Sequence, residues 1–284
     1  MKNIYTFILC CMNLLHAMHE PFNKNAVPDQ SVIELLNIAS IKHNGTVDDI
    51  IKKTQEQWIR KSGTERWEID KSNHPYHDQL IVWLGDNNFI QEISPQLKHY
   101  KYIVLMGGAA QRVKSRIKYI EELIQTVSFN KLIMLCGERP LDSHEEQFEM
   151  YAYQEDINTT EFQRPKTETD MMKYIAAHTQ LPENKIEWHS MPMIDTGDNK
   201  RRRPTTEDTL KLWLAAQPQP GTCLIVSSQP HARYQEAVVK SVMPDEFEVH
   251  IAAPQSSTYV CDGDYLDNLA RWLYQTWKLL NKSK

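Results

Sequence analysis

Three stretches, residues 102–106, 131–136 and 222–226, are apolar at nearly every position instead of at every second one, and residues 246–252 look like a fourth strand. A strand needs that pattern when both of its faces are covered, as in a parallel sheet with helices on either side. Between and after these runs, residues 113–127, 167–178, 207–216 and 232–242 carry apolar positions at helical spacing. Strand and helix thus alternate from about residue 100 onward, which predicts a Rossmann-like, doubly wound α/β domain with a mainly parallel sheet over residues 99–284. Right-handed crossovers then bring the carboxyl ends of the strands to one rim. A last amphipathic helix over 265–280, with Leu266, Leu269, Trp272, Leu273 and Trp277 as its apolar side, is expected to cover an edge of the sheet.

Residues 28–98 read mostly as helices, an N-terminal helical extension packed on the main domain. Ser31 is placed to cap a helix over 32–41, and Thr46 with Asp49 forms a candidate capping box for 47–60. A third helix is expected over 77–93, with Leu80, Ile81, Leu84 and Ile90 on its apolar face. Trp58, Trp67 and Trp83 read as packing anchors. Ahead of these, residues 1–27 hold an apolar stretch over 4–15 that is too short to span a bilayer as a helix. A cleaved signal peptide ending near Ala17 and a docking helix both fit it, so a cytoplasmic location, slightly favoured, stands beside export. No other segment is a transmembrane candidate.

A formal net charge of -5 argues against a phosphate-backbone footprint, so nucleic acid is not an expected partner, while a small anion remains compatible. Five cysteines form no closed disulfide set and none of the usual zinc spacings. Cys136 and Cys223 lie in apolar runs and Cys261 in a polar loop, and all three read as structural. No GxSxG elbow, Walker A loop or HExxH helix occurs, and no metal site is expected. The acidic stretch 141–165 reads as a solvated loop, with a flap over the crevice as the alternative.

Open α/β sheets bind ligands outside the carboxyl ends of their strands. The first strand ends in Gly107 and Gly108, followed by Arg112 and Arg116 on the next helix. Glycines allow close backbone approach, and a helix N-terminus offers N–H groups to an anion. The second strand ends in Gly137, Glu138 and Arg139, a charged pair held between a glycine and a proline. The third ends in Ser227 and Ser228, with Pro230 in the expected first turn of a helix and His231 and Arg233 crowding its positive end. An imidazole and a guanidinium there suit a phosphate or carboxylate, and the imidazole can exchange a proton near neutral pH. Ahead of that strand, Arg201, Arg202 and Arg203 precede Thr205, Glu207 and Asp208. First-turn acids have a complete structural explanation in the helix dipole, and beside three arginines they also suggest a mixed-charge mouth with Glu207 as a candidate base.

This ordered series resembles the bacterial YdcF, SanA and ElyC-like family of Rossmann-like domains, whose biochemical role is poorly defined. The residues that carry the resemblance are Gly107-Gly108 with Arg112, then Cys136-Gly137-Glu138, Glu168 with Met171, residues 181–186, the Pro204 to Asp208 helix start, and Ser227-Ser228 with His231 and Arg233. It covers about residues 100–253 and implies pocket roles for Gly107, Gly108, Arg112, Gly137, Glu168, Thr205, Glu207, Asp208, Ser228, His231 and Arg233. The chain departs from the family pattern in having Glu138 for a glycine, Pro204 and Asp208 for asparagines, and a long insertion after Arg139. The resemblance implies S-adenosylmethionine as one ligand and a link to envelope integrity as another reading.

Three functions follow as expectations. The first is an enzyme, a hydrolase or transferase, acting on a phosphate- or nucleotide-bearing small anion, with His231 or Glu207 moving protons. The second is a non-catalytic binder of a nucleotide or S-adenosylmethionine. The third is an exported envelope-maintenance protein. Oligomeric state is not legible.

Overall fold

The computed structural model describes residues 20–61, 68–141, 165–197, 199–256 and 261–282. The N-terminal apolar stretch, Trp67 and nearly all of the acidic 141–165 segment lie outside these residues. Helices α1 (Gln30–Ile38), α2 (Val47–Trp58) and α3 (His77–Asp86) come first. They are followed by β1 (His99–Met106), α4 (Ala110–Leu123), β2 (Ser128–Gly137), α5 (Glu168–Ala177) and β3 (Ile186–Met191). A small hairpin, β4 (Ile194–Gly197) with β5 (Lys200–Arg202), precedes α6 (Thr206–Ala215), β6 (Thr222–Val226), α7 (Ala232–Val242), β7 (Glu248–Ala252) and α8 (Asp262–Lys282).

The five long-range strands form one parallel sheet in the order β3-β2-β1-β6-β7. Its consecutive apolar runs divide by alternate residues between two cores. Ile103, Leu105, Leu132, Met134, Leu224 and Val226 point to a face covered by Val113, Ile117 and Ile120 of α4 and Met171, Met172 and Ile175 of α5. Tyr102, Val104, Met106, Ile133, Leu135 and Ile225 point to the other, covered by Leu210 and Trp213 of α6 and Val239 of α7. The fold is therefore Rossmann-like and doubly wound. Cys136 and Cys223 fill these cores, where desolvation raises both thiol pKa values, that of Cys223 to about 12.

A third core joins the helical extension to the end of the chain. Leu35, Leu36, Ile50, Leu80, Leu84 and Phe89 pack with Tyr265, Leu266, Leu269 and Leu273 of α8. Instead of covering a sheet edge as expected, α8 lies between α7 and the extension, and Gln55 Nε2 of α2 donates to its Ala270 carbonyl at 2.9 Å. An amphipathic pattern reports a buried stripe and not the identity of the surface that buries it.

Local chemistry moves several element ends. Asp29, not Ser31, caps α1, accepting from Ser31 N at 2.9 Å. Thr46 caps α2, but the Asp49 carboxylate accepts from Asn44 N at 2.8 Å, so the expected reciprocal box is not formed. Helix α3 stops at Asp86, well short of residue 93, because Asn88 takes a left-handed φ of 58° and Phe89 N bonds back to Leu84 O at 2.9 Å. That turn sends Phe89 into the third core, stacked on Trp83 with centroids 5.8 Å apart and edge-on to Trp272 at 5.2 Å. The hairpin β4–β5 carries no alternating apolar pattern, and its exposed residues gave no strand signal.

Because Phe89 ties α3 to α8, Phe89→Ala is expected to lower global stability by about 3–5 kcal/mol. Urea unfolding followed by tryptophan fluorescence is expected to show one transition, shifted as a whole. Two separated transitions would mean that the extension unfolds by itself.

Candidate functional site

Strands β1 and β6 are neighbours, yet the helices that follow them, α4 and α7, pack on opposite faces of the sheet. This is the topological switch point, and a cavity of about 1330 Å³ opens at it. Helices α1, α2, α5 and α6 have side-chain caps from Asp29, Thr46, Thr167 and Thr205. The two helices that open at the switch point differ: α4 starts at Ala109 and α7 at His231, with neither a side-chain cap nor an acidic residue in the first turn. Their N-terminal amides carry the positive end of the helix dipole toward the cavity.

The turns after β1 and β2 are joined by one carboxylate. Glu168 is buried and its Oε1 accepts from Gly137 N at 3.2 Å, while its Oε2 accepts from Arg139 Nε. Arg139 Nη2 donates in turn to Gly108 O at 3.2 Å. A Cβ on Gly107 would lie 1.9 Å from Glu168 Oε1, so the carboxylate that holds Gly137 N and Arg139 would have to shift. Gly108 and Gly137 have room for a Cβ at ordinary contact distance, so the glycine pair is only half explained by close packing.

Arg116, noted in the sequence beside Arg112, turns out to hold the site together. It is 1% exposed and donates through Nη1 to Met106 O at 2.9 Å and Gly107 O at 3.2 Å. Its Nε and Nη2 both reach Ser228 Oγ at 3.3 Å, and Nη2 also reaches Gln235 Oε1 at 3.4 Å. One guanidinium thereby joins the carboxyl end of β1 to the turn after β6. The sequence signal was available: position 116 falls on the inward stripe of α4 with Val113, Ile117 and Ile120, where an arginine must find buried acceptors.

His231 is 4% exposed, lines the cavity, and has Nδ1 at hydrogen-bond distance from Asn268 Oδ1. Asn268 Nδ2 donates to Asp264 O at 2.7 Å, which orients the amide so that its oxygen faces the imidazole. Nδ1 therefore carries the proton of the neutral ring and Nε2 carries the lone pair. The Gln229–Pro230 peptide is cis, and Pro230 sits in the turn before α7 instead of in its first turn.

The cavity wall also includes Gly107, Gly108, Arg112, Gly137, Arg139, Glu168, Thr205 and Ser228. Other expected residues stand elsewhere, each for a local reason. Arg233 is buried in the seam with the extension, its guanidinium 5.4 Å from the Phe89 ring centroid and 5.8 Å from that of Trp272. Desolvation there pulls its pKa below the usual arginine value. Glu207 pairs with Lys211 at 2.6 Å on the surface. Asp208 completes a capping box with Thr205 and accepts from Arg202 at 2.7 and 3.0 Å, so the Arg202 guanidinium holds its carboxyl far below the usual range. Ser227 is turned inward to Gln235, and Glu138 is exposed and accepts from Ser190 Oγ at 3.1 Å. Of the three consecutive arginines, Arg203 alone reaches the cavity wall. Cys261 lines the cavity too, with its thiol pKa raised by burial.

Among the described residues, the lining carries eight Lys and Arg side chains against three carboxylates, Glu122, Glu168 and Asp264. Within the described residues, a chain of net charge -5 thus places more cations than carboxylates along this crevice. Among the described residues no group of three His, Cys, Asp or Glu is arranged to hold a metal ion, and no helix is long and apolar enough to cross a membrane. No protein-family model matches the chain, and no curated protein matches it.

Gly107→Ala is expected to destabilise the fold by about 1–3 kcal/mol through overpacking. Most of that loss should disappear in a Glu168→Ala background, as measured by a denaturation double-mutant cycle. Asp208→Asn is expected to cost about 1 kcal/mol, the scale of a capping interaction. A depressed carboxyl stabilises the fold fully above its unfolded pKa of about 3.9 and loses that contribution as pH falls through its lower folded value. The gap between wild type and Asp208→Asn should therefore be constant from about pH 6 to 8 and close in strong acid.

Proposed function

We propose that this protein binds a phosphate- or nucleotide-bearing small anion at the carboxyl rim of its sheet, and that it acts on that molecule as a hydrolase or transferase. The observation that carries the reading is the excess of Lys and Arg among the described residues around the switch-point cavity of an otherwise acidic chain. The uncapped N-termini of α4 and α7 add backbone donors at the same place. Arg112 and Arg139 are assigned to hold the anion, and His231, through Nε2, to accept a proton. Preorganised cations of this kind do most of their work on the charge that develops in a transition state. The order of glycine, arginine and histidine turns also supports kinship with the YdcF-like domains.

A second reading, a binder that does not turn its ligand over, is favoured by the acid–base inventory. Glu207 faces solvent beside Lys211, and the Cys261 thiol is pushed away from its reactive form. S-adenosylmethionine belongs to this second reading.

A thermal-shift panel of nucleotides, sugar phosphates and S-adenosylmethionine tests the reading, since a ligand at 100 times its Kd adds about 2.7 kcal/mol of stability. At least one phosphorylated compound is expected to raise Tm, and Arg112→Ala is expected to remove most of the rise. Product analysis of the hit then separates the two readings: His231→Gln should keep the shift and lower turnover by about 10²–10⁴-fold. A panel in which no phosphorylated compound shifts Tm would overturn the proposal.

A further inference from the structure

The crevice does not stop at the strand-end turns. Gln111, Ser115, Lys118 and Glu122 all line it, and their spacing of four, three and four residues puts them on one face of α4. At 1.5 Å per residue that face runs for about 16 Å, close to three helical turns. All four side chains are polar, and none belongs to the inward stripe of Val113, Ile117 and Ile120 that packs on the sheet.

A second stretch of wall comes from Gln255 and Ser256, in the segment after β7. That segment is tied to the turn after α3: Ile93 N and Ala253 N each donate to the other residue's carbonyl at 2.9 Å, and Ser256 N donates to Ile90 O at 3.0 Å. Tyr119, buried on α4, donates its hydroxyl to Glu92 Oε1 at 3.0 Å and to Ile93 O at 3.3 Å, which holds α4 against the same turn. Charge is graded along the helix. Arg112 stands at its start, where the uncapped amides carry the positive end of the dipole, while Glu122 stands exposed at the far end of the lining face. A carboxylate there repels a second phosphate and accepts from hydroxyl groups. Gln111 and Ser115, closer to the start, can both donate and accept.

We infer that the ligand is elongated: a phosphate at the strand-end turn near Gly108 and Arg112 carries a hydroxyl-rich, uncharged tail that lies along α4 past Ser115 toward Glu122. This inference rests on the anion-site reading above and narrows its ligand from any phosphorylated small molecule to a glycosylated phosphate or glycosylated nucleotide. The small side chain of Ser115, midway along the face, leaves room for the tail.

Calorimetric titration of the full chain with two matched pairs tests this: glucose 1-phosphate against maltose 1-phosphate, and ADP against ADP-ribose. Each pair lengthens the sugar tail without adding a phosphate outside the head. In at least one pair the longer member is expected to bind about tenfold or more tightly, the scale of one charge-assisted hydrogen bond. Ser115→Tyr, which fills the middle of the face, is expected to erase that gain while leaving the shorter member unchanged. Lys118 is exposed, so Lys118→Gln carries little risk to folding and should reduce the same gain. Binding of the shorter members with no gain in either pair, or a gain that survives both substitutions, overturns the inference and leaves the anion site standing. No binding by any of the four overturns the inference, and with it the anion reading if the thermal-shift panel is also without a hit.

Discussion

The buried guanidinium of Arg116 is the interaction on which the site depends. Two neighbouring strands whose helices leave in opposite directions must open a gap between their ends, and the carbonyls at such a gap need donors. Arg116 supplies them to Met106 and Gly107 on one side and meets the Ser228 hydroxyl on the other. A lysine would bring one charge but not a planar fork able to satisfy acceptors on both strands at once. With the gap spanned from below, the turns above it are held at a fixed separation, and Glu168 ties the next turn in through Gly137 N and Arg139.

Around that clamp the charged residues divide into two populations. Those on helix starts away from the switch point are consumed by capping: Asp29 on α1, Asp170 on α5, and Asp208 on α6. Their partners are backbone amides and, for Asp208, the Arg202 fork. At the switch point itself the helix starts are left without acids, and cations line the space in front of them. Position relative to the switch point therefore separates acid-bearing from acid-free helix starts more sharply than residue type does.

The seam between the extension and α8 has a second consequence for the same crevice. Phe89, Trp272 and Arg233 interlock there, and Asn268 on α8 orients His231. A helix that began as an element for burying apolar surface therefore also sets the tautomer of His231, the one histidine among the described residues of the cavity wall. Packing of the extension and proton chemistry at the rim are coupled through a single helix.

Much of this was legible in the sequence, because periodicity and strand-end position are local properties. The runs at 102–106, 131–136 and 222–226 are strands of a doubly wound sheet, and Gly107, Arg112, Arg139, Glu168, Ser228 and His231 line one cavity. What the sequence alone could not determine is the direction a side chain takes once its neighbours compete for it. Arg233 and Arg112 look equivalent as helix-start cations, yet one is drawn between Phe89 and Trp272, residues far from it along the chain. Glu207 and Asp208 look like pocket acids until Lys211 and the Thr205 cap claim them. Only the tertiary structure decided these cases, because hydrogen bonds and burial depend on which distant surfaces meet, and no local pattern encodes that.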